Sequence, residues 1–64
     1  MADEEVKHKL QEFVNEIFYG VHSVEEAKAL KERLDAFYLE NNVTLEQRKI
    51  MVESGAGDML GMML

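Results

Sequence analysis

Residues 6–17 read VKHKLQEFVNEI, and the spacing of their apolar side chains decides the fold class. Intervals of four, three, one and three residues place these side chains on one face of an α-helix. We predict a helix over about residues 4–19, with Asp3 as its N-cap and Gly20 ending it in a left-handed conformation. The apolar residues on this face are Val6, Leu10, Phe13, Val14 and Ile17.

A second helix is predicted over about residues 24–40 from another apolar face and a capping signal. Ser23, followed three residues later by Glu26, forms a capping box, in which two side chains satisfy free backbone donors reciprocally. Because only residues 20–23 separate the two helices, we expect an antiparallel hairpin with the apolar faces in contact. The second face comprises Ala27, Leu30, Leu34, Phe37 and Tyr38.

A shorter third helix is expected over about residues 45–54. Thr44 and Gln47 form a second capping box at its start. Residues 50–52 are all apolar, so this helix is apolar on more than one side, which is typical of a helix that is buried or shared with a partner. The small residues at 54–57 predict a break after it.

These signals predict one all-α domain over residues 1–64, built as an antiparallel helical hairpin plus a shorter third helix. A chain of 64 residues without cysteine has neither a disulfide nor a thiolate metal site to stabilise a small core. Domains of this size usually need such a staple or a partner. We therefore expect the bundle to be completed by dimerisation.

The acidic composition favours some partners over others. The net charge of −6 is spread along the whole chain, so it repels phosphate backbones and attracts basic protein surfaces. The start of the chain has no basic, apolar leader, and no apolar run approaches the length of a membrane span. A soluble, cytoplasmic protein is the expectation.

Two groups of residues have the chemistry of a catalytic or metal site, but their surroundings favour structural roles. Glu5, His8 and Glu12 share a helix face, as the ligands of carboxylate-bridged metal sites do, yet lysines flank them and a single copy cannot complete such a site. Ser23 follows His22, but its hydroxyl is required for the helix cap. We therefore predict no metal, no cofactor and no enzymatic activity.

The C-terminal residues 58–64 form an apolar tail, in which Asp58 is expected to start one short helical turn over residues 59–63. Such a tail would be an aggregation hazard if it stayed in water. It either folds back to close the chain's own core, pairs with a second copy, or docks on another protein as a helix in a groove. The expected partner-binding residues are Ile50, Met51, Met59, Leu60, Met62, Met63 and Leu64.

The sequence thus favours a non-enzymatic interaction or regulatory module that binds a second copy of itself and an unidentified, basic protein. The alternative is a regulator resembling helix-turn-helix domains, which would read nucleic acid with Thr44, Gln47, Arg48 and Lys49 at the start of the third helix. The two hypotheses differ in where the basic residues lie. The alternative requires the bases to converge on one face that is free of carboxylates.

Overall fold

The computed structural model describes residues 2–64, and this part of the chain forms four α-helices. They are α1 (Asp3–Tyr19), α2 (Val24–Glu40), α3 (Leu45–Glu53) and α4 (Ala56–Met63). The radius of gyration is 11.1 Å, close to the value of about 11 Å typical of a compact domain of this length. The all-α prediction is confirmed. None of the described helices combines the length and the apolar character needed to cross a membrane.

The helices do not pack as a simple hairpin covered by one further helix. The α1 helix packs more extensively against α3 and α4 than against α2, and α4 contacts all three of the others. The reason is that the C-terminal segment forms a helix of its own, and the small Ala56 and the buried Leu60 fit it between the longer helices. The buried core comprises Val6, Leu10, Val14, Ile17, Ala27, Leu30, Leu34, Val43, Met51, Ala56 and Leu60.

Two predictions about the ends of α1 are wrong. The N-cap is Ala2, and Asp3 lies in the first helical turn, where its carboxylate is free to bond elsewhere. Gly20 ends the helix with φ −112°, which is not left-handed. A glycine is favoured there for steric reasons, because a Cβ atom would lie 3.1 Å from the backbone oxygen of Glu16.

The two predicted capping boxes have different outcomes. At α2, the backbone NH of Glu26 donates to Ser23 Oγ at 3.1 Å, but the Glu26 carboxylate accepts from the backbone NH of His22 and leaves the box half formed. At α3, both hydrogen bonds between Thr44 and Gln47 are present, at 2.9 and 3.1 Å. The sequence signal therefore locates both helix starts correctly.

The break between α3 and α4 is confirmed, but α4 begins earlier than predicted. Gly55 has φ +79° and is the N-cap of α4, a left-handed conformation that glycine adopts readily. Ser54 Oγ accepts a hydrogen bond from the backbone NH of Ala56, which supports the helix start at that residue. Asp58 lies within the first turn, so the expected short turn is a full helix of eight residues.

Candidate interaction surfaces

Two of the expected partner-binding residues belong to the protein's own core. Met51 and Leu60 retain only 4% and 5% of their exposure, so neither presents a surface to a partner in this fold. Ile50 and Met59 are half-buried against the same core. The C-terminal segment therefore closes the chain's own core, as one of the alternatives from the sequence states, but it does so through only part of its apolar residues.

The last residues of α4 carry apolar side chains that the core does not cover. Met62 is 77% exposed and Leu64 is 48% exposed, whereas Met63 is half-buried. Met63 lies against the turn that connects α1 and α2. Of the expected C-terminal binding residues, Met63 therefore lies beside residues 21–24.

Met63 meets two valines that sequence analysis did not single out. Val21 in the α1–α2 turn, Val24 at the start of α2 and Met63 line a shallow cavity of about 310 Å³, together with His22 and Ser23. We call these five residues the apolar end. Val24 is 52% exposed, and no Asp, Glu, Lys or Arg lines the cavity. The periodic apolar residues of α2 begin at Ala27, so the periodicity does not include Val24 at the start of the helix.

A second concave surface lies between α1 and α2. The rings of Phe13 and Phe37 form its floor, with centroids 5.7 Å apart and planes tilted by 55°. The volume is about 440 Å³. We call this surface the charged groove. Its lining residues are Lys9, Glu12, Phe13, Glu16, Arg33, Phe37, Glu40 and Asn41.

Ion pairs hold most of the charges around the groove. Arg33 Nη2 lies 2.9 Å from Glu16 Oε2 and connects the two helices. Lys9 Nζ lies 3.6 Å from Glu12 Oε2. Glu40, the last residue of α2, makes no ion pair within residues 2–64. The last turn of α2 carries no basic residue, and Asn41 caps the helix end by donating from Nδ2 to the backbone oxygen of Phe37 at 3.0 Å.

The side chains of Thr44 and Gln47 at the start of α3 make hydrogen bonds within the chain itself. Besides its part in the capping box with Thr44, Gln47 donates from Nε2 to Asp3 Oδ1 at 2.7 Å and so joins α3 to α1. Asp3 Oδ2 also lies 3.2 Å from Lys7 Nζ. The hydrogen bonds from Gln47 and Lys7 lower the pKa of the Asp3 carboxyl, and the Asp3 carboxylate raises the pKa of Lys7.

The basic residues of α3 are also engaged. The guanidinium of Arg48 lies 4.2 Å from the centroid of the Tyr38 ring, and burial raises the pKa of the Tyr38 hydroxyl. Lys49 Nζ pairs with Glu46 Oε2 at 3.1 Å.

Two basic residues of α2 are also paired with carboxylates. Lys31 lies 2.8 Å from Asp35, and Arg33 pairs with Glu16. Carboxylates are thus interleaved with the bases, which weighs against the nucleic-acid alternative.

The described residues with catalytic or metal-binding chemistry form no cluster of three ligands. His8 Nε2 is 3.4 Å from Glu12 Oε1 on an exposed helix face. Within residues 2–64, no three histidine, cysteine or acidic side chains come together as a metal site would require. Ser23 Oγ accepts the capping hydrogen bond from Glu26.

Comparison with protein-family models, curated proteins and solved structures finds no match to this chain.

Proposed function

We propose that the protein is a non-enzymatic interaction module that associates with a second copy of itself through the apolar end. The observation that carries this proposal is the absence of formal charge from the cavity formed by Val21, Val24 and Met63. In a chain with 31% charged residues, such a surface is where two acidic copies oppose few carboxylates, because the Glu26 carboxylate at its border is already hydrogen-bonded to the backbone NH of His22.

Symmetry supports the same arrangement. A two-fold dimer places identical patches against each other, so an uncharged apolar patch is complementary to itself. Met62 and Leu64 flank Met63 in the sequence, and their exposed apolar side chains are available to extend the contact. A standard interface covers about 800 Å² on each partner, which is a large part of the 4455 Å² surface of this chain. We therefore expect a small interface and a weak dimer.

Sedimentation equilibrium tests this proposal. Concentrations from about 10 μM to about 1 mM cover the range of a weak dimer. We expect the average mass to rise from one chain toward two, and the melting temperature to rise with concentration because only the folded chain dimerises.

A pair of matched variants tests the position of the interface. Val24→Glu adds a carboxylate to the apolar end, and two copies would then oppose like charges. Leu45→Glu is the control, because Leu45 is also the first residue of its helix and is 82% exposed. An acid at either position suits the helix dipole, so both variants should fold. We expect Val24→Glu to weaken the dimer about tenfold and Leu45→Glu to leave it unchanged. A wild-type chain that stays monomeric, or equal effects of both variants, would contradict the proposal.

A further inference from the structure

We propose that the charged groove between α1 and α2 binds a basic amphipathic helix of a partner protein. The inference rests on the proposed role as an interaction module but uses a different surface. An apolar side chain of the partner lies on the rings of Phe13 and Phe37, and a neighbouring lysine or arginine lies against Glu40 and the C-terminal end of α2.

The floor of the groove supplies the apolar part of this site. Phe13 and Phe37 pack against the core but remain half-exposed, and their rings meet at the base of an open concavity. Two neighbouring helices with a gap between them are suited to a third helix, whose anchor side chains enter the gap. The chain's own α3 and α4 also pack against α1 but contribute no residue to the lining of this groove.

The charge of Glu40 indicates which kind of partner the groove binds. Glu40 stands at the negative end of the α2 dipole, where a carboxylate is unfavourable, and no cation within residues 2–64 forms an ion pair with it. Glu53 ends α3 in the same way, so it is the position of Glu40 beside the apolar floor that marks the groove as a place where a ligand can supply a cation. A lysine or arginine is the group that pairs with this carboxylate.

The same charge argues against a second copy in this groove. Three acids, Glu12, Glu16 and Glu40, and two bases line it, and each copy carries a net charge of −6. A second copy would bring its own carboxylates toward these three. The two surfaces therefore select different partners, a second copy of the chain at the apolar end and a basic helix in the groove.

A synthetic helix tests the proposal. The probe is a peptide of about 16 residues, long enough to form helix on contact, with lysines on one face and leucines on the other. It is titrated into the isotope-labelled full-length protein while amide chemical shifts are recorded. A second peptide with glutamate in place of every lysine has the same apolar face. We expect the basic peptide to shift the amides around Phe13, Phe37 and Glu40, and the acidic peptide to shift none.

Two substitutions that remove the same charge separate a specific site from general attraction. Glu40→Gln should weaken binding of the basic peptide about threefold to fivefold, the range for a partly exposed ion pair. Glu53→Gln removes an acid from the last residue of α3, outside the groove, and should change the affinity less than twofold. Neutralising an acid at a helix C-terminus favours folding, so both variants should remain folded.

Phe37→Leu tests the floor without emptying it. Leucine keeps most of the volume but removes one aromatic face, and we expect binding to weaken about threefold.

Equal effects of Glu40→Gln and Glu53→Gln, shifts centred on the apolar end, or no shifts with the basic peptide would each overturn the proposal. Val24→Glu should still bind the peptide. Sedimentation of the same samples reports self-association separately, so failure of one proposal is distinguishable from failure of the other.

Discussion

The charged groove lies between α1 and α2, whereas the apolar end lies at the turn that connects them, and the two surfaces differ in what surrounds their apolar side chains. In the groove, the rings of Phe13 and Phe37 are enclosed by charged residues from both helices. At the apolar end, no charged residue lines the cavity beside Val24 and Met63, and the Glu26 carboxylate at its border accepts from the backbone NH of His22. Exposed apolar area alone does not specify a partner, whereas the charge at its border does.

The two surfaces also depend differently on the rest of the fold. The groove is formed by α1 and α2 alone, whereas the apolar end requires α4 to bring Met63 against the turn near Val21. Because α4 also contacts α1 and α2, a change that displaces α4 should alter the apolar end more than the groove. A change in the common core should abolish both.

The largest effect is expected in the core that both surfaces share. Leu10 is completely buried, and Leu10→Ala should lower the free energy of unfolding by about 3 kcal/mol. That loss approaches the whole stability of so small a domain. Phe13→Leu keeps most of the volume at the half-exposed floor and should cost less than about 1.5 kcal/mol. Urea denaturation followed by circular dichroism measures both. Similar losses for the two variants would show that Phe13 belongs to the core as fully as Leu10.

The next effect concerns the connection that orients α4. Gly55 has φ +79°, so Gly55→Ala should cost about 1–2 kcal/mol, the penalty of a left-handed conformation for a side chain with a Cβ. The control is Gly61→Ala inside α4, where an added Cβ meets nothing within 4 Å and should stabilise the fold by about 0.5 kcal/mol. Thermal melts should thus shift in opposite directions.

The same pair of variants has different consequences for the two surfaces. If Gly55→Ala displaces α4, it should weaken self-association more than it weakens peptide binding to the groove. Equal losses of both in a variant that remains folded would show that the groove depends on α4 as much as the apolar end does. That outcome would remove the structural independence of the two surfaces.

A smaller effect is expected at Ser23, which caps α2 and also lines the apolar end. Ser23→Ala removes the acceptor for the backbone NH of Glu26 and should cost about 1 kcal/mol. Ser23→Asp retains a capping acceptor and should be as stable as the wild type, while placing a charge at the apolar end. Stability retained together with a weakened dimer would support the interface. An unchanged dimer would move the interface away from Ser23.

The helices could be predicted from the sequence because their signals are local. The periodic apolar residues of α1 and α2 and the capping residue Thr44 act within one or two turns, so they locate helices without knowledge of the fold. The relative placement of the helices depends on contacts between distant residues. The packing of Ala56 and Leu60 between the longer helices has no signature in local spacing. The same is true of the preference of α1 for α3 and α4 over α2.

The candidate surfaces were predicted only in part for the same reason. Met62 and Leu64 are exposed as a binding surface requires, but Met51 and Leu60 are buried. Composition identifies an excess of apolar residues without showing which of them the chain itself covers. Glu40 gives a signal that sequence reasoning could have used, because an acid at the end of a predicted helix opposes the dipole.

The smallest effect is a pH dependence at the contact between α1 and α3, far from the α1–α2 turn. Hydrogen bonds from Gln47 and Lys7 lower the pKa of Asp3 below its ordinary value of 3.8. A carboxyl group whose pKa is lower in the folded than in the unfolded chain stabilises the fold above its unfolded pKa. That stabilisation is lost as the pH falls through the folded value. Acidification below 3.8 should therefore loosen the attachment of α3 to α1.

Asp3→Asn tests this contact, because the amide cannot titrate. Urea denaturation at neutral pH and at about pH 2 should show a smaller loss on acidification for Asp3→Asn than for the wild type. Glu4→Gln, in the same first turn of α1, is the matched control, because Glu4 makes no hydrogen bond to Gln47. Equal changes in Asp3→Asn and Glu4→Gln would assign the effect to the helix dipole. A difference confined to Asp3→Asn would assign it to the hydrogen bond that joins α3 to α1.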